Sequence, residues 1–163
     1  MRAAMQPVPV ARGFTVVELL VVLAMIALLA ALAMPALDNV LAAQRLRAAG
    51  TDLMSALLVA RSEAVKRNVQ VQVMPRAGDA WGTGWRVVVV GVDEVIDDRT
   101  SPGHRVEVTR APARVVYDGN GRLVTFGVAR VELMDAERAP GVHGRCITVT
   151  ASGLPRITQG ACA

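Results

Sequence analysis

Aromatic side chains are scarce: two Phe, two Trp and one Tyr make up 3% of the 163 residues, too few for a row of rings on which nucleic-acid bases would stack. Histidine occurs only as His104 and His143, and the sequence holds no H-E-x-x-H, no serine in a nucleophile elbow and no phosphate-binding glycine loop. Nothing announces an enzyme. Gly82-Thr83-Gly84 is too short for such a loop and reads as a turn beside Trp81 and Trp85. The two cysteines, Cys146 and Cys162, lack the C-x-x-C spacing of a redox pair and the further ligands of a zinc site. They are compatible with one disulfide in an oxidising compartment or with two unrelated thiols. Charged residues are few as well, 20% against 53% hydrophobic, a balance that excludes disorder because enough apolar surface is available to offset the entropy of folding.

The hydrophobic excess is concentrated. Every residue from Leu19 to Met34 is apolar, and from Val16 to Leu37 the single charge is Glu18. These 22 residues would span about 33 Å as a helix, close to the hydrocarbon thickness of a bilayer. Arg2 and Arg12, with no acid between them, favour a cytoplasmic N-terminus and send the remainder outward, to the periplasm in a bacterium. An ordinary secretory signal competes with this reading, since Ala31-Leu32-Ala33 is a passable cleavage site. Glu18 is out of place in such a signal. An acid inside a membrane helix costs roughly 2.5–3.5 kcal/mol and reads as functional by default, unless it sits near the interface. The formal charge of +4 falls to +2 if Arg2 and Arg12 leave with a leader, so global charge says little about a polyanionic partner.

The stretch Arg12-Gly13-Phe14-Thr15-Val16-Val17-Glu18-Leu19-Leu20, a short basic leader running into a long apolar helix, resembles the class III signal of type IV pilins and pseudopilins. The resemblance implies cleavage after Gly13 by a prepilin peptidase, N-methylation of Phe14, and pairing of Glu18 with the N-terminal amine of a neighbouring subunit. A carboxylate among packed helices is tolerated when an opposite charge meets it, so that pairing would act as a register check.

Pro35 is expected to kink a helix that then continues. Beyond it Leu46, Leu53, Leu57, Ala60 and Ala64 recur at helical spacing among charged residues, which predicts an amphipathic helix ending near Asn68. The period then switches to two at Val69, Val71 and Val73. Further strands are expected at Trp85–Val90, Arg105–Thr109, Arg114–Tyr117, Leu123–Phe126, Val128–Leu133 and Cys146–Ala151, with a hairpin turn at Asp118-Gly119-Asn120-Gly121. The fold class is α+β, a long N-terminal helix on a mainly antiparallel sheet domain. Its segments are a leader 1–13, a membrane half-helix 14–37, an amphipathic half-helix 38–68 and a β domain 69–163.

The second half resembles the FimT/GspH minor pilins and pseudopilins in Ala60-Arg61-Ser62-Glu63-Ala64, Gly84-Trp85, Gly121-Arg122 and Val149-Thr150-Ala151-Ser152-Gly153. That resemblance implies a sandwich-like pair of small sheets beside the helix, and a structural subunit of a type IV pilus or type II secretion pseudopilus. It implies an inner-membrane anchor, a periplasmic domain, and as partners the membrane, other pilins and a prepilin peptidase. A disulfide between Cys146 and Cys162 would pin the tail to a final hairpin. Some FimT-like proteins are associated with DNA binding through a C-terminal G-R-x-R loop. The segment here is Gly153-Leu154-Pro155-Arg156, with leucine in place of the first arginine, so DNA contact would fall to Arg145 and Arg156, the alternative being a solvated basic tail. Asp93, Glu94, Asp97 and Asp98 are expected to form a solvated acidic loop, paired by Arg99 and Arg105, without the spacing of a calcium-binding EF-hand. No cofactor or metal is expected.

Overall fold

The computed structural model describes residues 13–92, 94–100, 103, 105–124 and 127–163, with the side chains of 32–36 excepted. The leader ahead of Gly13, Asp93, His104 and Phe126 therefore lie outside the described residues. One helix, α1 (Val16–Arg67), precedes strands β1 (Val71–Ala77), β2 (Ala80–Val89), β3 (Val95–Thr100), β4 (Val106–Arg110), β5 (Val115–Tyr117), β6 (Ala129–Asp135), β7 (Arg145–Val149) and β8 (Pro155–Gln159). The chain divides into two compact units, one ending at Leu37 and the other Asp38–Ala163, and α1 contributes to both.

In the first unit the described apolar side chains, from Phe14 through Leu29, are exposed. Among the described residues no helix is long and apolar enough to cross a membrane; the far end of the apolar run, 32–36, has no described side chains.

The second unit is built on the helical stripe. Ala42, Leu46, Ala49, Leu53, Ala56, Leu57, Ala60 and Ala64 are all buried, and apart from the neighbours Ala56 and Leu57 they follow one another at three or four positions, as one helix face demands. Small residues alternate with leucines along this stripe, so β-strands approach the helix closely: a Cβ on Gly50 would collide with Ile157. The helix stops because Asn68 adopts a left-handed φ of 51°. Its N–H bonds Val65 O at 3.4 Å, and the Val69 N–H bonds Ala64 O at 3.2 Å. This pair of reversed bonds satisfies two carbonyls of the last turn, those of Ala64 and Val65.

Two four-stranded antiparallel sheets follow, ordered β3-β2-β1-β5 and β4-β6-β7-β8. Val71, Val73, Trp85 and Val87 of the first and Val131, Leu133, Ile147 and Val149 of the second join the helix stripe in one core. The fold is α+β with a helix packed on paired antiparallel sheets.

Two local expectations need correction. The acidic segment is not a loop: Val95–Thr100 is an edge strand hydrogen-bonded to β2. There Asp97 is paired by Arg99 and Asp98 by Arg76. Arg105 does not join that cluster, because it binds Asp135 and Glu137. Of the strand expected at Leu123–Phe126, residues 125–126 lie outside the described residues; Leu123 forms an isolated bridge with Tyr117, and Val124 N–H bonds Val116 O at 3.0 Å.

Candidate functional site

Thr15 begins the helix. Its hydroxyl accepts the Glu18 backbone N–H at 3.2 Å, and its carbonyl accepts Leu19 N–H at 3.2 Å. Thr15-x-x-Glu18 is thus the first half of a capping box, a structural signature hidden inside the pilin-like motif. The second half is missing: the Glu18 carboxylate has no hydrogen-bond or ion-pair partner among the described residues. Gly13 and Phe14, the expected processing residues, are exposed immediately ahead of this cap, Phe14 by 87%. Gly13 and Phe14, the Glu18 carboxylate and the exposed apolar side chains therefore follow one another at the start of the helix.

The residues that carry the FimT/GspH resemblance meet at the opposite end of α1. Arg61 Nε donates to Gly121 O at 3.0 Å. Gly121 and Gly153 have φ of 73° and 80°, and a Cβ on Gly153 would collide with the Gly121 carbonyl. Two loops therefore touch backbone to backbone over the Arg61 side chain, an approach that only glycine permits. Asp118 shapes the first loop by accepting the N–H groups of Asn120 and Arg122, each at 2.9 Å. Tyr117 lies beneath, fully buried, and burial pushes its hydroxyl well above the ordinary tyrosine range, the nearby Arg61 charge acting in the opposite sense. Gly84-Trp85 belongs to the same core, with Trp85 buried. Trp81 Nε1 bonds Pro112 O at 2.8 Å, tying β2 to the crossing between β4 and β5. What these motifs assemble is a clamp on the helix end.

Arg145 and Arg156 are not brought together. In the β7/β8 ladder Arg145 faces Gln159, and Arg156 faces Thr148. Side chains alternate along a strand, so Arg145 shares the face of Ile147 and Val149, both in the core, whereas Arg156 lies on the other face with Arg130, which neighbours Thr148 from β6. The two cysteines do meet: Cys146 and Cys162 form a disulfide with 5.1 Å between Cα atoms. The tail folds back far enough for Cys162 N–H to reach Glu132 of β6 at 3.3 Å.

Asp135 was missed in the sequence. Among the described residues it is the charged residue that is buried, 2% exposed, held bidentately by Arg105 at 3.1 Å and by the Ala139 N–H at 3.0 Å. Burial alone would raise its carboxyl; the Arg105 and Ala139 hydrogen bonds outweigh this and hold it below the usual carboxylate range. It orders the turn after β6, where Asn39 reaches Pro140 O at 3.4 Å. No signal marks it, because its partner lies 30 positions away. No group of three metal-ligating side chains gathers among the described residues.

Comparison with known proteins gives two kinds of match. Residues 49–153 match the family model described as Type II transport protein GspH. Among solved structures the chain is similar to the type IV minor pilin FimU of Pseudomonas aeruginosa in two crystal forms. One has a TM-score of 0.58 at 20% identity over 72% of this chain and 90% of that one. The other has a TM-score of 0.54 at 23% identity over 71% and 93%. No curated protein matches the sequence.

Proposed function

The chain belongs to the GspH family of type II transport proteins, the minor pilins and pseudopilins of the GspH/FimT kind, and from that premise we propose that it is a structural subunit, cleaved after Gly13 and inserted into a type IV pilus or pseudopilus through its N-terminal helix. The observation that carries the proposal is the pairing of an unpartnered acid with an apolar surface: Glu18 stands in the first turn, and the described apolar side chains around it are exposed.

In this reading residues 14–37 form the membrane half of the helix, with the N-terminus cytoplasmic and the domain from Asp38 periplasmic. Prepilin peptidase removes the leader, leaving Phe14 as a methylated amine. Its positive charge is free to meet Glu18 of a neighbouring subunit, and the reverse contact is available in the next. Polymerisation exchanges lipid for neighbouring helices, which are no more apolar than lipid, so close packing and a matched charge pair must select the register. An unmatched Glu18 leaves a bare carboxylate in an apolar bundle, which penalises the wrong register. The β domain presents no motif chemistry. It caps the helix and carries the surface by which one subunit differs from another.

The test is Glu18→Ala in the full chain. Membrane insertion and leader cleavage remain at the wild-type level, while the amount recovered in sheared filaments drops. Equal recovery of mutant and wild type overturns the role of Glu18, and a mature N-terminus other than Phe14 overturns the processing step.

A further inference from the structure

Besides the clamp and the helix surface, the second unit holds a cavity of about 370 Å³ where the chain crosses from one sheet to the other. Three arginines line it: Arg110 at the end of β4, Arg114 just ahead of β5, and Arg130 in β6. The apolar part of its lining includes Val115, Leu123 and Val128. We propose that this cavity binds an acidic peptide segment of a partner protein, its carboxylate held by the arginines and an adjacent aliphatic side chain seated on the valine and leucine surface.

The charge pattern points to an anion. No carboxylate is among the described lining residues, and none of the three arginine side chains has an ion pair or hydrogen bond among the described residues. The acid opposite Arg110 in the β4/β6 register is Glu132, and it is engaged by the Cys162 N–H. Arg67, Arg76, Arg99, Arg105 and Arg138 are paired with acids, whereas Arg45, Arg47, Arg86, Arg122 and Arg156 have none among the described residues; Arg110, Arg114 and Arg130 differ from these in lining one cavity together. Convergence of three like charges around one concavity is unfavourable by itself, and a bound carboxylate reverses its sign. The frame is preorganised. A register shift between Val108 and Arg110 redirects the end of β4, and the Trp81 bond to Pro112 O fixes the crossing that carries Arg114.

The lining selects among anions. Guanidinium groups bind carboxylates through paired hydrogen bonds, and the aliphatic surface has no use for a bare phosphate. A nucleic acid would require rings to stack bases or a track of cations along its backbone. The three arginines surround one cavity and form no such track.

The inference does not rest on the filament reading, since it uses only the second unit. The full chain in detergent micelles is titrated, at low salt, into a fluorescein-labelled peptide of alternating leucine and aspartate, and binding is read by anisotropy. Saturable binding is expected, absent for the matching asparagine peptide. Combining Arg110→Gln, Arg114→Gln and Arg130→Gln weakens it by at least about tenfold per arginine removed. Arg47→Gln, exposed on α1 and outside the cavity lining, leaves it unchanged. All four positions are exposed, so the variants keep the wild-type melting temperature, which is measured alongside. Binding that survives the triple substitution overturns the proposal, as does no saturable binding. Binding of oligothymidylate or inorganic phosphate in place of the peptide, lost in the triple variant, overturns it in favour of a phosphate site.

Discussion

Replacing Gly153 by alanine perturbs the domain at the point where two loops close over the helix end. The backbone there has a φ of 80°, which an L side chain adopts at a cost of about 1–2 kcal/mol. The new methyl would also meet the Gly121 carbonyl, with Arg61 Nε 3.3 Å away. That carbonyl must move, and it is the acceptor of the 3.0 Å bond from Arg61. A hydrogen bond to a charged donor contributes about 1.5–3 kcal/mol, so the combined loss is about 3–5 kcal/mol. For a domain of this size each kcal/mol lowers the melting temperature by about 3–5 °C, giving a drop of about 10–20 °C. Circular dichroism of the full chain in detergent measures it. Gly141→Ala is the matched control: its φ is 79° and nothing lies within 4 Å of the added Cβ, so it carries the conformational cost without the collision. If the two variants melt within a few degrees of each other, the clamp argument is refuted.

Other perturbations give equally direct outcomes. Replacing Cys146 and Cys162 together by serine opens a cross-link spanning 16 positions, worth about 3 kcal/mol, and lowers the urea midpoint by about 1–2 M; an unchanged midpoint shows the cross-link to be silent. The depressed Asp135 carboxyl contributes stability that is fully present above the unfolded aspartate value of about 3.9 and is lost as pH falls through the lower folded value. Asp135→Asn is therefore destabilising at neutral pH, and its gap from wild type closes in acid; a gap that stays constant with pH contradicts the ion-pair account. Glu18→Ala is expected to enter the membrane normally and to be depleted from filaments, as quantified by immunoblot of sheared fractions.

Much of the fold was legible locally. The stripe Leu46, Leu53, Leu57, Ala60, Ala64 is buried without exception, because amphipathic spacing on a helix is a property of neighbouring residues and leaves one face to cover. The change of period at Asn68 marked the helix end, since a left-handed residue there and alternating valines beyond it both act within a few positions. Val95–Thr100 was illegible for a related reason. Its acids read as solvated, yet on an edge strand they are compatible with pairing to Arg76 and Arg99, and charge at an edge discourages further strand addition. The candidate site was half legible: the order Gly13, Phe14, Glu18 stands in the sequence, whereas Asp135 meets Arg105, and the cavity arginines meet one another around one concavity, only through folding.

The amino-acid order determined what short-range chemistry can determine: an apolar run interrupted by one acid, a helix with one face to bury, and glycines at turns. Tertiary structure decided which distant residues share a face. Arg145 and Arg156 look like a pair along the chain but fall on opposite sides of one hairpin, because side chains alternate and the β7/β8 register has Arg145 across from Gln159. Arg110, Arg114 and Arg130 look unrelated along the chain and surround one cavity, because the crossing between sheets brings three separate strand ends to the same place. Periodicity is set by adjacent residues, whereas register and sheet order are set by the burial of the whole core, and only the second can gather charges that the sequence keeps apart.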